Sequence, residues 1–104
     1  MARVKVLVPV VRVNDSLLLA PSLEKCPLFA LYELERSGFR LIEIIAGGDE
    51  GFSALREVVE SKQPDVVVVL GTARSDKLEG LGVRIYRSRE LEVENALKEL
   101  GGAL

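Results

Sequence analysis

Hydrophobic positions along this chain follow two rhythms. Residues 3–11, RVKVLVPVV, carry valine on both faces of a two-residue period, the pattern of a strand covered from both sides. Pro9 is expected to mark the end of its ladder, because proline has no N–H to donate. Residues 12–27, RVNDSLLLAPSLEKCP, hold neither a helical nor a strand period and read as one long irregular connection, the kind that tends to be functional or mobile. Residues 28–34 and 39–46 are β-like runs joined by Glu35-Arg36-Ser37-Gly38, a turn suited to a hairpin. Glu33 and Glu43 interrupt them, which puts the pair on the outer, partly solvated side of a sheet.

The second rhythm begins after the loop Gly47-Gly48-Asp49-Glu50-Gly51. Phe52, Leu55, Val58 and Val59 share one helical face, and Pro64 stops that helix. Val66-Val67-Val68-Val69-Leu70 has no polar break, as in a central parallel strand. Residues 75–81 predict a short helix with Ser75 as N-cap and Asp76 facing the helix dipole, ended by Gly82. Residues 83–86 predict a last short strand. Ser88 then caps a final helix with Val93, Ala96, Leu97 and Leu100 on one face, closed by Gly101-Gly102. The order β, long loop, β-hairpin, α, β, α, β, α predicts a mixed, mainly parallel sheet with helices on its faces, in one domain over residues 1–104.

Composition narrows the chemistry. With 104 residues the chain fits one core, and 48% hydrophobic residues can fill it. A net charge of -2 offers no general field for nucleic acid or an anionic membrane. No apolar stretch approaches the roughly 20 residues of a spanning helix, and no leader pattern opens the chain, so a soluble cytoplasmic protein is expected. The absence of histidine removes serine–histidine and cysteine–histidine catalysis, zinc fingers and the two-histidine metalloprotease motif. Asn14, Asn95 and Gln63 are the only side-chain amides while 29% of residues are charged, a composition suited to a hot habitat.

Several segments together carry a resemblance: Leu7-Val8-Pro9-Val10 closing the first strand; Pro27-Leu28-Phe29-Ala30-Leu31-Tyr32-Glu33-Leu34 as an aromatic-containing strand; Asp65 leading the valine strand to Gly71; Gly82-Val83-Arg84-Ile85-Tyr86; and Val93-Glu94-Asn95-Ala96-Leu97. In this order the chain resembles the dinitrogenase iron-molybdenum cofactor biosynthesis family, also called nitrogenase accessory factor-like proteins. The resemblance covers nearly the whole chain. It implies an α/β, ribonuclease H-like three-layer fold. A five-stranded mixed sheet of order 3-2-1-4-5 would have strand 2 antiparallel and helices on both faces. It also implies handling of a metal cluster. Where the family carries histidine, phenylalanine and glycine before the second strand, this chain has Ser22, Leu23 and Glu24, followed by Lys25 and Cys26.

If the first and fourth predicted strands are neighbours, the crevice beyond their carboxyl ends is the expected ligand position. Arg12, Asn14, Asp15, Thr72, Arg74 and Ser75 would line it, with Ser22, Lys25 and Cys26 near on the long connection. Arg12, Lys25, Arg74 and the helix start at Ser75 favour an anion, such as an iron-molybdenum or iron-sulfur cluster or a phosphate; the alternative is ordinary solvated surface. Cys26 is the one soft metal ligand, with Lys25 beside it to lower its pKa; the alternative is a small buried hydrophobe. One thiolate cannot complete a tetrahedral site, so a homodimer, a partner or ligands already on a delivered cluster would have to supply the rest. The loop at residues 47–51 lacks the lysine and hydroxyl of a phosphate loop. Asp15, Asp49, Glu50, Asp65 and Asp76 do not make a two-metal nuclease, because the central strand Val4-Lys5-Val6-Leu7-Val8 carries no acid. The expected function is a non-enzymatic holder of a metal cluster or other anionic ligand, with a cluster donor or acceptor protein as partner. The alternative is a member that has lost cofactor binding and serves as a protein-interaction module through its hairpin edge.

Overall fold

In the computed structural model, which describes residues 3–21, 28–35, 38–46, 52–71, 80 and 82–103, the first valine run forms the ten-residue strand β1 (Val4–Val13). Its side chains divide between two layers. Leu7 packs with Phe29, Leu31, Val67 and Val69 beneath helix α1 (Phe52–Lys62), which contributes Leu55, Val58 and Val59. Val6, Val8 and Val10 pack on the other face beneath helix α2 (Val93–Ala103), which contributes Val93, Ala96, Leu97 and Leu100. A strand buried on both faces has to be apolar at every position, which is why the valine run shows no alternation.

The remaining strands are β2 (Ser16–Leu19), β3 (Leu28–Glu35), β4 (Gly38–Ala46), β5 (Val66–Leu70) and β6 (Arg84–Ser88). They form a six-stranded sheet of order β4-β3-β1-β5-β6, with β2 paired to β1 off this path. β3 runs antiparallel to β1, β5 runs parallel to it, and β6 is parallel to β5. This is the expected three-layer order with one strand added. Asp65 fixes the start of β5 on β1: its N–H donates to the Lys5 carbonyl at 2.9 Å, and its Oδ2 accepts from the Lys5 N–H at 2.9 Å.

The added strand corrects the expectation of a long irregular connection. β1 continues through Arg12 to Val13, and β2 folds straight back on it with Val13 opposite Ser16. Asn14 and Asp15 make the turn with φ of 47° and 67°, the two positive values a two-residue type I′ hairpin demands and that asparagine and aspartate tolerate best among non-glycine residues. Leu17-Leu18-Leu19 hides the strand period because all three are buried or half-buried, so the legible signal is the Asn14-Asp15 pair.

Pro9 does not end the ladder. It pairs with Phe29 in mid-strand, and its carbonyl accepts from the Ala20 N–H at 3.0 Å. Backbone groups of one strand residue point to one side, so the missing proline donor faces β2 and not β3, and the β1–β3 ladder passes it unbroken. Ser88 is not the N-cap of the last helix. It ends β6, fully buried, with its Oγ accepting the Glu90 N–H at 3.1 Å, while α2 starts at Val93. Gly101 and Gly102 lie inside α2 rather than closing it. The helix predicted over residues 75–81 falls outside the described residues except for Gly80.

The outer hairpin also differs in detail. β3 is buried along most of its length, and Glu33, only 8% exposed, is tolerated there because Arg40 (3.1 Å) and Arg3 (3.7 Å) reach its carboxylate. β4 carries the solvated side. Replacing Asn14 with valine should cost about 1–2 kcal/mol in chemical denaturation, the penalty of a β-branched residue in the left-handed region, whereas Asp15→Gly should leave stability unchanged or raise it.

Candidate functional site

The crevice expected between the ends of β1 and β5 is partly filled. β1 pairs with β5 only at Val6–Val66 and Leu7–Val67, and from Val10 onward its edge belongs to β2. Beyond β2, Leu18 bridges to Glu92 and the Leu19 N–H donates to the Leu91 carbonyl at 2.8 Å. The chain leaving β6 thus returns across this end of the sheet. At the end of β5 the Gly71 N–H donates to the Ser88 carbonyl at 2.8 Å, and Arg87 Nη1 donates to the Gly71 carbonyl at 3.4 Å.

Three stretches outside the described residues attach at this same end. Leu28 lies opposite both Val10 and Ala46, and Leu70 is the last residue of β5, so the described residues that flank 22–27 and 47–51 and that precede 72–79 lie toward the carboxyl ends of β1 and β5. Among the candidate residues, Ser22, Lys25, Cys26, Thr72, Arg74 and Ser75 lie on two of these stretches, outside the described residues. Arg12 is placed: it is exposed, opposite Leu17 in the β1–β2 hairpin, with β2 between its strand and the segment at Leu91 and Glu92. Asn14 and Asp15 form the hairpin tip. Asp65 is engaged with the Lys5 backbone. Arg87 is a cation at this end that the sequence pattern did not single out; the last strand extends two residues past its predicted limit and carries Arg87 alongside Val69.

A second feature of the described surface was not foreseen. A cleft of about 420 Å³ lies between the hairpin tip (Asp15, Ser16, Leu17), the start of α2 (Glu92, Val93, Glu94) and the β3–β4 surface (Tyr32, Phe39, Leu41). Tyr32 and Phe39 meet edge to face with centroids 6.0 Å apart and planes at 77°. Burial, followed by the negative charge of Glu94, raises the Tyr32 phenol above its ordinary value. Asp15, Glu92 and Glu94 make the cleft acidic, so its field repels an anionic ligand. No group of three or more histidine, cysteine, aspartate and glutamate side chains among the described residues is arranged to hold a metal ion. No described helix is long and apolar enough to cross a membrane.

The comparison with known proteins bears on the rest. The family described as dinitrogenase iron-molybdenum cofactor matches residues 5–102. The chain belongs to this family. Solved structures agree on the fold. The crystal structure of PH0822 is 13% identical with a TM-score of 0.73, over 95% of this chain and 91% of that one. A candidate dinitrogenase from Methanocaldococcus jannaschii is 14% identical, TM-score 0.66, over 98% and 92%. The NMR structure of a candidate NifB protein from Thermotoga is 20% identical, TM-score 0.63, over 95% and 88%. No curated protein matches the chain. Membership of this family points to involvement with the iron-molybdenum cofactor, a metal cluster. The described residues supply no thiolate or imidazole for it; the sequence contains no histidine, and its one cysteine, Cys26, lies on the stretch 22–27.

The two tyrosines provide a direct check on the cleft's electrostatics. Tyr86 donates to Glu99 Oε1 at 2.8 Å, and this hydrogen bond is the leading cause of its own raised pKa. Absorbance titration in alkali should show Glu94→Gln lowering the Tyr32 transition alone and Glu99→Gln lowering that of Tyr86 alone. Because the folded Tyr32 pKa lies above the unfolded value near 10.0, its contribution to stability is complete below that pH and is lost as pH rises through the folded value.

Proposed function

We propose that this chain is a non-enzymatic holder or carrier of a metal cluster of the iron-molybdenum or iron-sulfur type, or of another small anion, at the sheet end formed by β1 and β5. Family membership over residues 5–102 is the observation that carries this reading. The order of the sheet supports it, because β3, which follows residues 22–27, and β5, which precedes residues 72–79, flank β1 on either side. Lys25, Arg74 and Arg12 supply positive charge, Ser22, Thr72 and Ser75 supply hydroxyl donors, and Cys26 supplies a thiolate. One thiolate cannot saturate a cluster, so the remaining ligands travel with the cargo or come from a donor or acceptor protein. A reducing cytoplasm keeps Cys26 in the form this role needs. The acidic cleft at Tyr32 is not the cargo site, on grounds of charge.

A second reading has its own support in β4, whose Leu41, Ile42 and Ile44 are 42%, 43% and 37% exposed on an edge strand. With the family's histidine position taken by Ser22, a member devoted to protein contacts would use that edge.

Anaerobic titration with an iron-sulfur cluster donor, followed by absorption and iron content, tests the carrier reading. Stoichiometric uptake that Cys26→Ala abolishes is the expected result. Uptake that survives in the variant removes Cys26 from the site, and absence of iron from both proteins overturns the carrier reading.

A further inference from the structure

The outer edge of the sheet carries a self-complementary pattern. β3 covers one side of β4, and no strand pairs with the other among the described residues. Lys5 and Pro9 point their backbone groups toward β5 and β2, so the even-numbered residues of β1 point toward β3, and β3 in turn directs Leu31 and Glu33 at β4. Their partners Glu43 and Arg40 therefore face inward, and the backbone groups of Phe39, Leu41 and Ile44 face the outer edge.

An irregularity in the ladder makes the pattern work. Leu31 pairs with Glu43 and Tyr32 with Leu41, leaving Ile42 as an extra residue on β4. Three positions apart in a regular strand, Arg40 and Glu43 would lie on opposite faces; the bulge puts both on the α1 side, where Arg40 meets Glu33 and Glu43 meets Lys62 at 2.7 Å. Phe39, Leu41 and Ile44 then share the α2 side, opposite Leu34, Tyr32 and Ala30.

We propose that β4 pairs antiparallel with β4 of a second copy of this chain, about a two-fold axis between Leu41 and Ile42. In this register Arg40 lies opposite the partner's Glu43, Glu43 lies opposite the partner's Arg40, and Phe39 lies opposite the partner's Ile44. On either side of the axis, inward-facing Arg40 meets inward-facing Glu43 and outward-facing Phe39 meets outward-facing Ile44, so ladder bonds form there. A shift of one residue toward Ala46 sets inward against outward groups and apolar against charged faces. A shift of two sets Arg40 against the partner's Ile45. The chosen register joins both charge pairs and covers the exposed Leu41 and Ile44. Pairing about a two-fold axis uses the same edge of both copies, so association stops at a closed dimer.

This inference is independent of whether a cluster is carried. Sedimentation of the full chain over increasing concentration should show a monomer–dimer equilibrium. Arg40→Glu alone and Glu43→Arg alone should each weaken it by roughly tenfold or more, since each sets like charges together at two places. An equal mixture of the two variants should recover the wild-type dimer, because both pairs are then opposite in sign. Ile44→Lys, at an exposed position without an ion pair to lose, should weaken the dimer in any case, with thermal melts confirming that each variant is folded. A wild-type chain that stays monomeric throughout overturns the dimer, and a mixture no tighter than the single variants overturns the register.

Discussion

The hydrogen-bonding demand of β1 organises the molecule. The buried stretch of this ten-residue strand, Val6 to Val10, lies between two helical layers, where a backbone N–H or carbonyl left without a partner costs about 1–3 kcal/mol. On one side β3 meets this demand in a continuous ladder from Val4 to Val10. On the other side β5 is only five residues long and aligns with β1 at Val6 and Leu7. The upper half of β1 must find a different partner, and the chain supplies it by turning back at Asn14-Asp15. Pro9 occupies the changeover between the two partners, past the last residue paired with β5 and just before the first paired with β2.

That constraint explains which parts of the fold were legible in the sequence. The valine runs at residues 4–8 and 66–70 mark burial directly, as does the helical spacing of Leu55, Val58 and Val59 in α1 and of Val93, Ala96, Leu97 and Leu100 in α2. A strand or helix face enclosed by its neighbours admits little but apolar side chains. What depended on pairing was harder to read. Whether Pro9 ends a ladder turns on which way its nitrogen faces, and that is set by Ala20, on the far side of a hairpin. Ser88 has the chemistry of a helix cap, but β6 holds it in register with Leu70, so its hydroxyl serves the turn at Glu90 instead.

The candidate site was legible as a location more than as a set of contacts. Strand order alone identifies the sheet end to which residues 22–27 and 72–79 attach, and of the named binding residues Arg12 is the one placed, on a hairpin that the missing strand period concealed. The acidic cleft escaped prediction for a related reason. Asp15, Tyr32, Phe39 and Glu94 are far apart in sequence, and they come together only because β2 folds back on β1 and the β3–β4 pairing presents Tyr32, Phe39 and Leu41 on the α2 side.

Charge separates the two ends of this surface. Asp15, Glu92 and Glu94 line the cleft, whereas Arg87 lies at the end of β5, where it donates to the Gly71 carbonyl. In a chain of net charge -2, such segregation matters more than the total, since an anion is steered by the local field within about a Debye length of roughly 8–10 Å. The acidic lining of the cleft depends on the added β2 strand, required first by the hydrogen bonds of β1, because the hairpin tip brings Asp15 to the same cleft as Glu92 and Glu94.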